Sequence, residues 1–187
     1  MITPSSEEPL SIKPPCLKLK TRVKASSSPK KVRCTPDCLQ PNFEIVIRKI
    51  DLVTTGLPEY VSMQLRDLFH LSPENALNLV NFILTQKTEI NISDTYKLNM
   101  ISTLVLLSNS LNDKSFRDMK LDDALIYLDS HRKDYASDPL HKWIGSYNVK
   151  RQRLITFFRW LYNSDKPPST RQTPEFMKRI PIIPLDS

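Results

Sequence analysis

Only two glycines, Gly56 and Gly145, occur in 187 residues. With so few, no glycine-rich loop can wrap a phosphate or a dinucleotide, and nucleotide-dependent chemistry is not expected on that ground. Cysteine is scarce as well: Cys16, Cys34 and Cys38 all lie near the N-terminus, an odd set that cannot staple a core elsewhere, which fits a reducing compartment. Long hydrophobic runs are missing. The most apolar window, NMISTLVLLSNSL at 99–111, is broken by Ser and Asn and is too short to span a bilayer, and no early run resembles a secretory h-region. No membrane association is expected.

Proline is plentiful but uneven. Seven of its fifteen occurrences fall in residues 1–41 and five in 166–187, leaving only Pro58, Pro73 and Pro139 between. The middle of the chain is therefore free to form regular helix and the ends are not. Charge divides at the same places, because residues 42–165 balance fifteen Lys/Arg against fifteen Asp/Glu, so the net charge of +7 resides in the ends. Residues 1–41, rich in Pro, Ser and Lys, are expected to be a disordered basic tail. Residues 42–165 form the expected core, and 166–187 a proline-rich linker.

Within the core, helix signals repeat. NFEIVIRKIDLV (42–53) fits the periods of both strand and helix imperfectly, and with no pairing strand nearby it is read as helix. Pro58 and Glu59 open a stretch that carries Val61, Leu65, Leu68 and Phe69 at helical spacing. Ser72 as N-cap, Pro73 and Glu74 open the next, with Ala76, Leu77, Val80, Ile83 and Leu84 on one face. Ser93 and Asp94 start a third, burying Tyr96, Met100, Leu104 and Leu107, and Asp122 and Asp123 complement the dipole of a fourth. After an expected break at Gly145-Ser146 comes YNVKRQRLITFFRWLYN (147–163). The fold class that follows is all-α, a single bundle of five to six helices.

That last stretch is amphipathic. Leu154, Phe158, Leu161 and Tyr162 cluster near Tyr147 around the helix, while Gln152, Thr156, Arg159 and Asn163 fall opposite. No acid occurs between Asp138 and Asp165, yet Lys142, Lys150, Arg151, Arg153 and Arg159 do. An ordinary solvated helix mixes signs for pairing one turn apart, so a one-sign segment in a neutral core points to an anionic partner. Lys150, Arg151 and Arg153 are expected near the helix N-terminus, where free N–H groups favour phosphate, with Gln152 or Arg159 reaching base edges. Phe157, Phe158 and Trp160 are read as packing residues. The other reading of the basic set is a plain solvated face.

SFRDMKLDDALIYLDS, then DPLHKWIGSYN, KRQRLITFFRWLYN and KPPSTRQTPEFMKRIP, resemble the N-terminal core-binding, or SAM-like, domain of tyrosine recombinases of the phage-integrase family, archaeal ones especially. The likeness runs from about Lys114 to Ile183. It implies a helical domain forming half of a clamp on double-stranded DNA, in DNA integration and recombination, with Lys150, Arg151, Arg153 and Arg159 as DNA contacts; Lys142, Gln152 and Thr156, from the reading of the helix itself, complete the expected DNA-binding set. The family's catalytic half carries an Arg, Lys, His-x-x-Arg, His/Trp and Tyr set, and none of His70, His131 and His141 opens a His-x-x-Arg. No catalytic residue and no strand cleavage by this chain are therefore expected; the sequence is either part of a longer enzyme or lacks that half.

Cys34-Thr-Pro-Asp-Cys38 has a spacing that some zinc loops use, but no fourth Cys or His lies in the tail, so no metal or other cofactor is expected. SSSPKKVR contains a Ser-Pro-Lys-Lys unit, a basic arm suited to any polyanion. The expected partners are duplex DNA and copies of this chain or a catalytic recombinase domain, with no small-molecule substrate, in the cytoplasm at the nucleoid. The alternative is a helical protein-interaction module that touches DNA only through its arm.

Overall fold

Seven α-helices and two short 3₁₀ turns account for the regular structure of residues 41–185, the part that this computed structural model describes. Of the tail expected to be disordered over 1–41, Pro41 begins a helix, while residues 1–40, with the Cys16/Cys34/Cys38 set and the Ser-Pro-Lys-Lys arm, lie outside the described residues. In chain order the helices are α1 (Pro41–Thr54), α2 (Glu59–Leu71), α3 (Pro73–Ile90), α4 (Asp94–Ser110), α5 (Leu121–Asp129), α6 (Lys142–Leu161) and the short α7 (Glu175–Lys178). No strand occurs among the described residues, and the all-α bundle expected from the periodicity is what forms.

The helices bury the stripes their spacing prescribes, Tyr96 of α4 excepted, which is only partly buried. Val46, Ile50 and Val53 of α1 meet Val61, Leu65 and Leu68 of α2, and Ala76, Val80 and Ile83 of α3 join them in one core. Local chemistry sets the boundaries. Pro73 occupies the first turn of α3, and Asn91 ends it in the left-handed region at φ 48°. The Ser93 hydroxyl accepts a hydrogen bond from the Tyr96 amide at the start of α4. The Asp123 carboxylate accepts from the Lys120 amide at 2.8 Å and from Lys114 Nζ at 2.7 Å. The paired acids at 122 and 123 thus open α5, as the dipole argument required.

Two buried polar side chains tie the bundle together. Lys97 is almost wholly buried; its ammonium pairs with Asp94 at 2.7 Å and donates to the Thr55 carbonyl at 3.2 Å, fixing the α1–α2 turn to α4. That turn needs Gly56, at φ 82°, where an added Cβ would stand 3.0 Å from the Asp94 carboxylate. Asn75, fully buried on α3, donates to Ser108 Oγ at 3.0 Å and the Lys114 carbonyl at 2.9 Å, and accepts from the Phe116 amide at 2.9 Å.

The proline-rich segment after α6 is packed rather than free of the core. Met177 and Ile180 are buried in the main cluster, and the ring of Phe176 meets Phe158 edge-on at 5.3 Å. Arg171 makes a two-pronged pair with Glu89 of α3, at 2.6 and 2.8 Å, with only 7% of its side chain exposed. The packed unit therefore continues past residue 165 to at least Ile180.

Removing Asn75 leaves the Phe116 amide and the Lys114 carbonyl without their partner in a closed interior. Asn75→Ala is expected to cost about 3 kcal/mol, read as a lower urea midpoint at unchanged slope. A loss below about 0.5 kcal/mol would mean that the loop before α5 is held by other contacts.

Candidate nucleic-acid interface

The rotation of α6 about its own axis decides which side chains face outward. Phe157 meets Phe82 of α3 at 5.3 Å and Phe116 at 5.0 Å, both edge-on. Tyr147, Leu154, Phe157, Phe158 and Leu161 are all buried. With one side of the helix committed, Lys142, Ser146, Val149, Gln152 and Arg159 are left on the outside, with Arg153 and Thr156 partly exposed among them.

The outward residues line three shallow recesses that run end to end. The first, about 450 Å³, is bounded by Lys142, Gly145, Ser146, Val149, Lys150 and Arg153. Val149 and Arg153 also wall the second, about 280 Å³, with Tyr96, Gln152 and Thr156. Thr156 passes into the third, about 110 Å³, where Arg159 and Trp160 meet Gln86, Glu89 and Arg171. Six of the seven residues expected from the sequence thus share one continuous face.

Arg151 is the exception. It lines none of these recesses, and its Nε donates to the Ile180 carbonyl at 2.9 Å. Beside it the Asn148 amide donates to the Ile183 carbonyl at 2.7 Å and accepts from the Ile183 amide at 3.1 Å. The two side chains hold the returning C-terminal segment against the back of α6.

Three sequence-based expectations are corrected here. The helix does not break at Gly145-Ser146 but runs unbroken from Lys142, because a single glycine costs a helix interior only about 1 kcal/mol and the flanking Ile144 and Tyr147 are buried. Lys150, Arg151 and Arg153 consequently sit two or more turns inside it, away from any free amides. The true start lies beside Asp138, whose carboxylate accepts from the Trp143 amide at 2.9 Å. Asn163, placed on the wet side by its angle, is buried; its amide donates to the Arg159 and Gln172 carbonyls, because the chain folds back over it.

Electrostatically the face is cationic apart from Glu89 in the third recess, which is paired with Arg171. Among the described residues, Lys142, Lys150, Arg151, Arg153 and Arg159 form no salt bridge within 4.0 Å. Arg153 is held by a neutral group instead, its Nη1 donating to Thr103 Oγ1 at 3.2 Å. Lys150 is kept below the usual lysine range, first by burial and then by the Arg153 charge. Burial raises the Tyr96 phenol, and the Arg153 and Arg159 charges pull against that rise.

Tyr96 and Val149 belong to this face, and sequence reasoning missed both. Tyr96 satisfied the apolar stripe of α4 and was assigned to the core. Val149 carries a usable signal: it stands four residues before Arg153 and three after Ser146, on the outward line. Among the described residues no group of three or more His, Cys, Asp or Glu could hold a metal ion, and no helix is long and apolar enough to cross a membrane. Compared with known proteins, the chain matches no family model, no curated protein and no solved structure.

Behind the face, the Tyr127 hydroxyl donates to the Thr103 carbonyl at 3.3 Å, and burial pushes its pKa from 10.0 up to about 12 against the pull of Arg153. Tyrosine in the unfolded chain titrates at the lower value, so this contribution to stability is whole below pH 10 and disappears as pH rises through about 12. That rise corresponds to about 2 to 3 kcal/mol. Tyr127→Phe is expected to flatten the alkaline fall of the urea midpoint; a fall as steep as in the unaltered chain would contradict this assignment.

Proposed function

We propose that this chain binds duplex DNA through the outer face of α6, as the core-binding half of a tyrosine-recombinase-type clamp. The observation that carries the reading is the run of Lys142, Lys150, Arg153 and Arg159 along contiguous recesses without a carboxylate partner. From Lys142 to Arg159 the face extends about 25 Å at 1.5 Å per residue, enough to follow a duplex for roughly seven base pairs. Phosphates neutralise the crowded cations and release condensed counterions, while Gln152 and Thr156 offer hydrogen bonds between them. The resemblance of residues 114–183 to recombinase core-binding domains supports the same ligand.

On this reading the chain cuts no strand. Cleavage and rejoining belong to a catalytic recombinase domain, which is a proposed protein partner together with further copies of this chain, and binding to the chromosome places the protein at the nucleoid. A second reading, an interaction module whose DNA contact is the basic arm alone, draws on Ile45, Leu52, Tyr60 and Met63, half exposed on α1 and α2.

Fluorescence anisotropy of the full chain on a short labelled duplex, across a salt series, separates the two. Replacing Lys142, Lys150, Arg153 and Arg159 with Gln is expected to reduce the log-log salt slope by about three to four, at roughly 0.9 per phosphate contact. Unchanged affinity and slope would overturn the α6 reading. Complete loss of binding on neutralising Lys30, Lys31 and Arg33 alone would assign it to the arm.

A further inference from the structure

Val149 stands in the middle of the cationic face with half of its surface exposed. On a surface adapted only to water or to phosphate, an apolar β-branched side chain beside Lys150 and Arg153 gains nothing. It walls both the first and the second recess, and the second is lined mainly by apolar atoms, with Tyr96 opposite. Beside that apolar floor lies Gln152, which is exposed and whose side-chain amide makes no hydrogen bond among the described residues. Arg153, tethered to Thr103 Oγ1, and Thr156 close the rim.

An apolar spot next to an unengaged amide, flanked by cations, matches one kind of base pair. In the major groove thymine presents a C5-methyl group, and its adenine partner presents the N7 acceptor with the N6 donor, the pattern a glutamine amide engages at two points. Guanine offers two acceptors and calls for a cation; cytosine carries no methyl group. We infer that this recess reads an A·T pair, with Val149 and the wall of Tyr96 against the thymine methyl and Gln152 on the adenine edge. Arg153 and Thr156 take the neighbouring phosphates, which sets the depth at which Gln152 reaches the groove. The inference rests on the duplex-binding reading and adds sequence preference to it.

The test is selection of duplexes from a random pool by the full chain, followed by anisotropy on the selected sequence. Enrichment of a shared A·T pair is expected. Replacing its thymine by deoxyuridine, which deletes only the methyl group, is expected to weaken binding about fourfold. Val149→Ala should cost a similar factor on the thymine duplex and little more on the uracil one, and Gln152→Ala should relax the preference for that pair about tenfold. Both substitutions fall on exposed helical positions and suit a helix, and an unchanged circular dichroism spectrum checks the fold.

Sequence-blind binding with the salt dependence intact, or selection of a G·C pair at that position, would overturn this inference and leave the duplex reading standing. Absence of binding to any duplex would remove both.

Discussion

The outward face of α6 depends on one internal contact: the edge-on packing of Phe157 between Phe82 and Phe116. Once that ring is seated, with Tyr147, Leu154, Phe158 and Leu161 buried beside it, α6 cannot rotate about its axis without opening the core. The helical period then dictates that Lys142, Val149, Gln152, Arg153, Thr156 and Arg159 form one line toward solvent. The position of the basic face is thus a consequence of core packing.

The returning C-terminal segment completes the arrangement from the other side. Asn148 and Arg151 satisfy backbone groups of Ile183 and Ile180, and Arg171 joins Glu89 across α3. These side chains use their hydrogen-bonding capacity on the protein itself, which separates the basic residues of α6 into two kinds. Arg151 is structural in its contacts, whereas Lys150 has its basicity lowered first by burial and then by the neighbouring Arg153 charge. Crowding like charges without an intervening carboxylate is unfavourable in the free protein, and an anion that spans them relieves it.

Much of this was legible in the sequence, and the reasons are specific. The stripes of α2 and α3, the acids that open α5, the buried Phe157, Phe158 and Trp160, and the absence of acids from 139–164 are all local or periodic signals. The seeming break at Gly145 was not legible, because the helix there is held by the burial of Ile144 and Tyr147, a tertiary effect that overrides local propensity. Asn163 and Arg151 were misjudged for a related cause: their partners, Gln172 and Ile180, arrive from a segment whose prolines read as linker. Tyr96 was hidden because a half-buried aromatic satisfies a core stripe and a surface recess equally well.

Titrating a short duplex into the uniformly ¹⁵N-labelled chain and following amide resonances addresses the central claim most directly. The account predicts shifts concentrated at Lys142, Ser146, Val149, Gln152, Arg153, Thr156 and Arg159 and at Tyr96, reversed by raising the salt. Shifts confined to residues 1–40, with the amides of α6 unmoved, would contradict it.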